Sequence, residues 1–172
     1  WGIMYTRILL KLSGELLAGE QGFGVNPRAL ESITTQIALC HSKKIEIGIV
    51  IGGGNIFRGS ALIKNMQFPE PKAHQMGMVG TVINGMALET ALRMHGVAAT
   101  NYSAFSVDGI AKRFMIDTVL EEIRSQVLLF TGGTGNPFFS TDTAAALRAS
   151  EIGAQVLIKA TKVDGVYDKD PK

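Results

Sequence analysis

Apolar residues along this chain alternate between short unbroken runs and longer stretches of helical period. Arg7-Ile8-Leu9-Leu10-Lys11-Leu12, Ile45 to Ile51, Val97 to Tyr102, Val127 to Thr131 and Val156 to Ala160 are strand-length runs. Between the first two, Asn26-Pro27 supplies a capping side chain and a proline at the first helical position, with Leu30, Ile33 and Ile37 as the buried face. Cys40 falls in the same register, which predicts a buried thiol rather than a nucleophile. A second helix is predicted from about Gly77 to Met94, closed by Gly96, with Val79, Val82, Ile83, Met86 and Thr90 on its inward side. Its methionines read as core filling. Further helical patterns cover Asp117 to Ser125 and Thr141 to Ile152.

Apolar strands alternating with amphipathic helices predict an α/β fold, a mainly parallel sheet with helices on both faces, because parallel neighbours need a crossover and are buried on both sides. Ligands of such sheets sit beyond the carboxyl ends of the strands. Four unusual segments occupy that position: Lys11-Leu12-Ser13-Gly14, Gly52-Gly53-Gly54-Asn55, Gly132-Gly133-Thr134-Gly135-Asn136-Pro137 and Thr161-Lys162-Val163-Asp164-Gly165. A single turn needs one glycine, so Gly52-Gly53-Gly54 predicts backbone N–H groups approached by something bulky and anionic. With Lys11, Arg58, Asp142 and Lys162 alongside, the rim suits a phosphate-rich ligand.

Composition changes this picture little. At 172 residues, 46% hydrophobic and 19% charged, the chain is an ordinary globular one whose length predicts a single domain. Its net charge of +2 comes from interspersed Lys and Arg, so neither a nucleic-acid face nor a membrane-surface helix is predicted. One cysteine excludes a disulfide within the chain, and the opening Trp1-Gly2-Ile3-Met4 lacks the apolar core of a signal peptide. A cytosolic protein is expected.

Two familiar phosphate sites fail on spacing. No lysine directly follows a glycine as the P-loop requires. A dinucleotide-binding turn forced onto Gly133-Thr134-Gly135-Asn136-Pro137-Phe138 has Phe138 where its third glycine belongs and Pro137 where the helix should begin.

ILLKLSGE (8–15), VIGGGNIFRG (50–59), MGMVGTVINGMAL (76–88), TGNPFFSTDTAA (134–145) and KATKVDGVYDKDP (159–171) together resemble the bacterial uridylate kinases of the amino acid kinase family. The resemblance runs from about Tyr5 to the last residue. KLSGE and GGGN fit several branches of that fold, whereas GTGNPFFSTD marks the nucleoside monophosphate branch. It implies transfer of the γ-phosphoryl of ATP to UMP, with Mg2+ held by nucleotide phosphates and no metal site of the protein's own. Lys11 would bridge the transferred group, Leu12, Ser13, Gly14 and Gly54 would line the ATP phosphates, and Gly53 would face UMP. Arg58 would clamp phosphates between the nucleotides, or simply form a surface salt bridge. Asp142 would hold the catalytic lysine in place, or favour its helix as an N-terminal acid. Thr134, Gly135, Asn136, Pro137, Phe138, Phe139, Ser140 and Thr141 would surround UMP. Thr161, Lys162, Tyr167 and Asp170 would lie along ATP.

Two departures from that pattern stand out. His74 occupies the place of an acid expected to accept hydrogen bonds from the UMP ribose, and it brings no negative charge there. Family members also continue past Asp170-Pro171, so the expectation is one amino acid kinase-like domain over residues 1–172, incomplete at its C-terminus. The resemblance further implies a homohexamer activated by GTP and inhibited by UTP. Two other functions remain open: a kinase of the same fold acting on a carboxylate or carbamate, which would want cationic anchors in place of GTGNPFF, and a nucleotide-binding regulatory protein without turnover.

Overall fold

A computed structural model describes residues 5–161, the side chains of residues 61 and 62 excepted. Lys162, Tyr167 and Asp170, expected along ATP, lie outside the described residues. In chain order the elements are β1 (Arg7–Leu12), α1 (Gly14–Ala18), α2 (Pro27–Ser42), β2 (Glu46–Ile51), α3 (Ser60–Met66), α4 (Glu70–Met94), β3 (Ala99–Ser103), β4 (Lys112–Arg113), α5 (Ile116–Glu122), β5 (Val127–Thr131), α6 (Thr141–Glu151) and β6 (Val156–Ala160). The six strands form one sheet in the order β4-β3-β5-β2-β1-β6, and every pairing is parallel. The expected α/β architecture is therefore present.

Strand alternation divides the core into two layers. Ile47, Ile49 and Ile51 of β2 face one cluster, with Leu17 of α1, Ile37 of α2 and Leu88 and Leu92 of α4. Val50 points the other way, onto Val119 of α5 and Ala144 and Ala145 of α6. β6 departs from the both-sides-buried expectation, since Leu157 and Ile158 are exposed. Among the described residues it pairs only with β1, as an edge strand does.

Helix α4 corrects the predicted burial. It begins at Glu70, directly after Pro69 and without a side-chain cap, and Pro71 falls in the first turn, where a missing N–H costs nothing. Its inward face is built from Ala73, Gly80, Thr81, Asn84, Gly85 and Leu88. Met76, Val79, Ile83 and Met86 are exposed, and only Val82 of the predicted apolar side is buried with them absent from the core. Small residues win the inward face because the helix backbone lies almost against the sheet. A Cβ at Gly85 would come 2.5 Å from Cγ2 of Thr131, and one at Gly53 would come 2.6 Å from the carbonyl oxygen of Gly77. Cys40 is likewise exposed. The buried stripe of α2 runs through Leu30, Ile33, Thr34 and Ile37 toward His41, which leaves Cys40 one step off the face.

The glycines of α4 give a test with opposite signs. Alanine normally favours a helix interior over glycine by up to about 1 kcal/mol. Gly77→Ala, whose Cβ meets nothing within 4 Å, should raise the melting temperature slightly. Gly85→Ala should instead lower it by several degrees, because overpacking costs about 1–3 kcal/mol. Thermal unfolding by circular dichroism checks both; equal shifts of the same sign would refute the close approach of α4 to the sheet.

Candidate functional site

Because the strands are parallel, the segments after β1, β2, β5 and β6 collect at one rim. Lys11 and Lys159 are register partners on β1 and β6, so their side chains leave the same face of the sheet side by side. Ser140 caps α6 by accepting from the Thr143 N–H at 3.1 Å, which fixes the first turn of that helix and with it Asp142. Both lysines converge on this carboxylate. Nζ of Lys11 lies 2.8 Å from Oδ1 and Nζ of Lys159 2.8 Å from Oδ2. Lys11 is buried, while Lys159 and Asp142 are half exposed. Burial of Asp142 works against its charge, but the hydrogen bonds from Lys11 and Lys159 outweigh it and hold the carboxyl below its ordinary range. Two ammonium groups against one carboxylate leave the cluster with an excess positive charge.

Asp142 also sits in the first turn of α6, so its two sequence readings coincide: it pairs with Lys11 and complements the helix dipole. Lys159 was missed by the sequence reading. Its signal was a lysine interrupting the apolar run Val156 to Ala160, in register with Lys11.

Beside the cluster opens a cavity of about 560 Å³, within the range of small-molecule sites. Gly53, Gly54 and Phe57 form one wall, and Asn136, Phe138 and Phe139 form another. Ser140 and Thr141 also line it, so the cavity meets the cation cluster at the start of α6. Thr134, Gly135 and Pro137 belong to the same loop without lining the cavity; Thr134 Oγ1 accepts from the Asn136 N–H at 3.2 Å, and Gly135 holds φ at 85°. His74 lines the cavity too, but its Nδ1 already accepts from the Phe138 N–H at 2.7 Å.

The glycine run after β2 is explained chiefly by protein packed on protein. A Cβ at Gly53 would strike Gly77 O and, at 2.9 Å, Thr81 N; one at Gly14 would strike Oδ1 of Asn55 and, at 2.8 Å, Gly52 O. Only Gly54 of the three has an open face, with nothing nearer than Arg58 Nε at 3.8 Å. Asn55 and Asn84 lock this turn in place through a reciprocal amide pair of 3.0 and 2.7 Å. Asn55 Nδ2 also donates to Gly24 O and Asn84 Nδ2 to Gly52 O, each at 2.7 Å. Arg58 is exposed, pairs with Glu15, and donates from Nε to Gly54 O at 3.1 Å. Leu12 and Ser13 stand at the end of β1, with the Ser13 hydroxyl accepting from the Glu15 N–H at 3.3 Å. Thr161 follows β6 on the same rim.

The arrangement matches known proteins over most of its length. The amino acid kinase family model covers residues 6–172. A uridylate kinase of Campylobacter concisus is 48% identical over 167 residues, spanning 96% of this chain and 70% of the relative. One from Magnetococcus marinus is 49% identical over 166 residues, 96% of this chain and 68% of the relative. Among solved structures, a UMP kinase from Bacillus anthracis superposes with a TM-score of 0.91 at 33% identity, over 97% of this chain and 69% of that one. With the family model matching residues 6–172 and relatives nearly half identical over almost the whole chain, the chain belongs to the amino acid kinase family.

Proposed function

We propose that this chain carries the catalytic rim of a UMP kinase, which transfers the γ-phosphoryl of ATP to UMP and yields UDP and ADP. The observation that carries the reading is the Lys11–Asp142–Lys159 cluster opening onto a nucleotide-sized cavity, in a chain whose relatives are named uridylate kinases. A reaction in which the γ-phosphorus–oxygen bond to ADP breaks as a bond to a UMP phosphate oxygen forms asks little covalent help from protein. Its needs are alignment and compensation of charge on the phosphoryl oxygens. Lys11 meets that charge from a fixed, buried position, and Asp142 holds it there, so no reorganisation is needed as charge moves. Lys159, held by the second carboxylate oxygen, supplies a second cation on the same side.

Gly54, with its open face, and the segment Leu12-Ser13-Gly14 would present N–H groups to the ATP phosphates; Thr161, Lys162, Tyr167 and Asp170 would take the rest of that nucleotide. UMP would occupy the cavity between Gly53 and residues 134–141. Arg58 would exchange Glu15 for phosphate oxygens when the nucleotides bind. Mg2+ would take phosphate oxygens of the nucleotides as ligands and add its charge there. The domain is read as a single amino acid kinase-like unit over residues 1–172. The loop at 134–141 contributes aromatic walls and hydroxyls rather than the cationic anchors a carboxylate or carbamate substrate would want, which disfavours that alternative.

A cytoplasmic homohexamer, activated by GTP and inhibited by UTP, completes the reading. The exposed apolar side of α4, Met76, Val79, Ile83 and Met86, is a surface that association would cover. Among the described residues no helix is long and apolar enough to cross a membrane.

Four measurements test these assignments. Turnover of UMP should far exceed that of CMP and of acetylglutamate in a coupled ADP assay; UMP and ATP binding without ADP formation would favour a regulatory protein instead. Lys11→Ala should lower kcat by about 10²–10³ with a much smaller change in KM. Asp142→Asn should be damaging alone yet add little on the Lys11→Ala background, because groups working as a unit lose activity non-additively. Additive losses in log kcat, with both single variants folded, would refute the paired role. Asp142 also sets an acid limit. Its pKa is depressed on folding, so the ionised form contributes stability above the unfolded value of about 3.9, lost as pH falls through the folded value. The melting-temperature advantage of the parent protein over Asp142→Asn should therefore hold at pH 5–7 and close below about pH 4.

A further inference from the structure

One contact at the cavity mouth is not accounted for by phosphoryl transfer. Phe138 is not a glycine, yet it holds φ at 71°, in the left-handed region that costs an ordinary residue roughly 1–2 kcal/mol. Its loop is already unusual, with positive φ at Gly132, Gly133 and Gly135. A backbone held this way persists only when its surroundings over-determine it.

Those surroundings come from one residue of α4. The Phe138 N–H donates to Nδ1 of His74 at 2.7 Å, and the two rings meet edge to face with centroids 4.9 Å apart. A ring nitrogen that accepts carries no hydrogen, so the imidazole hydrogen sits on Nε2. Nε2 faces Oε1 of Glu70, one turn earlier on the helix, at 3.8 Å, a neighbour that favours hydrogen on that nitrogen. Helix α4, His74 and Phe138 thus form one connection across the cavity, whose wall includes His74, Phe138 and the adjacent Phe139.

We propose that His74 is a positioning residue that latches the 134–139 loop through Nδ1 and so sets the shape of the acceptor cavity, without itself contacting the acceptor. This rests on the assignment of that cavity to UMP. A latch on one wall should act on the acceptor and leave ATP alone, which separates it from a general structural role.

Three substitutions distinguish the latch from direct contact. The amide oxygen of asparagine reaches the place of Nδ1, whereas that of glutamine reaches the place of Nε2. His74→Ala should raise KM for UMP roughly five- to tenfold, the worth of one net hydrogen bond with an aromatic contact, while KM for ATP and kcat change by less than about threefold. His74→Asn should recover most of that loss and His74→Gln little of it. The reverse order would overturn the latch in favour of acceptor contact through Nε2. A fall in melting temperature with both KM values unchanged would overturn it in favour of a purely structural role. Nuclear magnetic resonance of the unsubstituted protein supplies a readout independent of turnover: a scalar coupling across the hydrogen bond between the Phe138 amide nitrogen and Nδ1 supports the latch, and a ring hydrogen on Nδ1 overturns it. Should the unsubstituted protein fail to phosphorylate UMP, the proposed function falls, and this coupling still decides the latch.

Discussion

Parallel pairing is the constraint from which the rest of this structure follows. Strands that all run one way must all leave the sheet at the same edge, and each needs a crossover to return. Lys11, the Gly52–Asn55 turn, the 132–139 loop and Lys159 are separated by long stretches of chain, yet they meet at one rim for that reason alone. The same geometry puts Lys11 and Lys159 in register on adjacent strands, where two ammonium groups would repel. Asp142 on the capped first turn of α6 resolves that repulsion, and a pair of like charges becomes a fixed electrostatic fixture.

Preorganisation extends outward from that fixture. Ser140 caps the helix that carries Asp142 and also lines the cavity, so one residue ties the cation cluster to the cavity. Thr81 of α4 plays a matching part on the far wall, its Oγ1 accepting from the Gly132 N–H at 2.7 Å. Loops that would otherwise sample many conformations are held by side chains from rigid helices, which fixes the shape of the cavity they line.

Much of this was legible in the sequence because the signals were local. Continuous apolar runs gave β1 and β5 to the residue, and Asn26-Pro27 marked the start of α2. What failed depended on distance between elements, which periodicity does not carry. Val79, Ile83 and Met86 have the spacing of a core face, but the backbone of α4 approaches the sheet so closely around Gly85 that the small residues Gly80, Thr81, Asn84 and Gly85 turn inward there instead. The three glycines after β2 were read as room for a ligand, and Gly53 proved to be room for α4. Lys159 escaped notice because a lysine in a strand acquires meaning only from its neighbour across the ladder. His74 was identified by its departure from a familiar pattern, while its actual partner, Phe138, lies 64 positions away and leaves no mark in sequence spacing.

The reciprocal pair of Asn55 and Asn84 restricts how this chain can drift. Each amide nitrogen is committed both to the other asparagine and to a backbone carbonyl, Gly24 O for one and Gly52 O for the other. An aspartate at either position would set carboxylate oxygen against two further oxygens with no hydrogen between them. A leucine would leave the partner amide buried with only its backbone bond and an unpaired side-chain oxygen. Single steps away from this pair are therefore uphill whatever residue is tried first, and the two positions are free to change only together. The turn that carries Gly54 to the rim is in that sense inherited as a unit with helix α4, whose Asn84 lies 29 positions from Asn55, although neither asparagine touches the cation cluster.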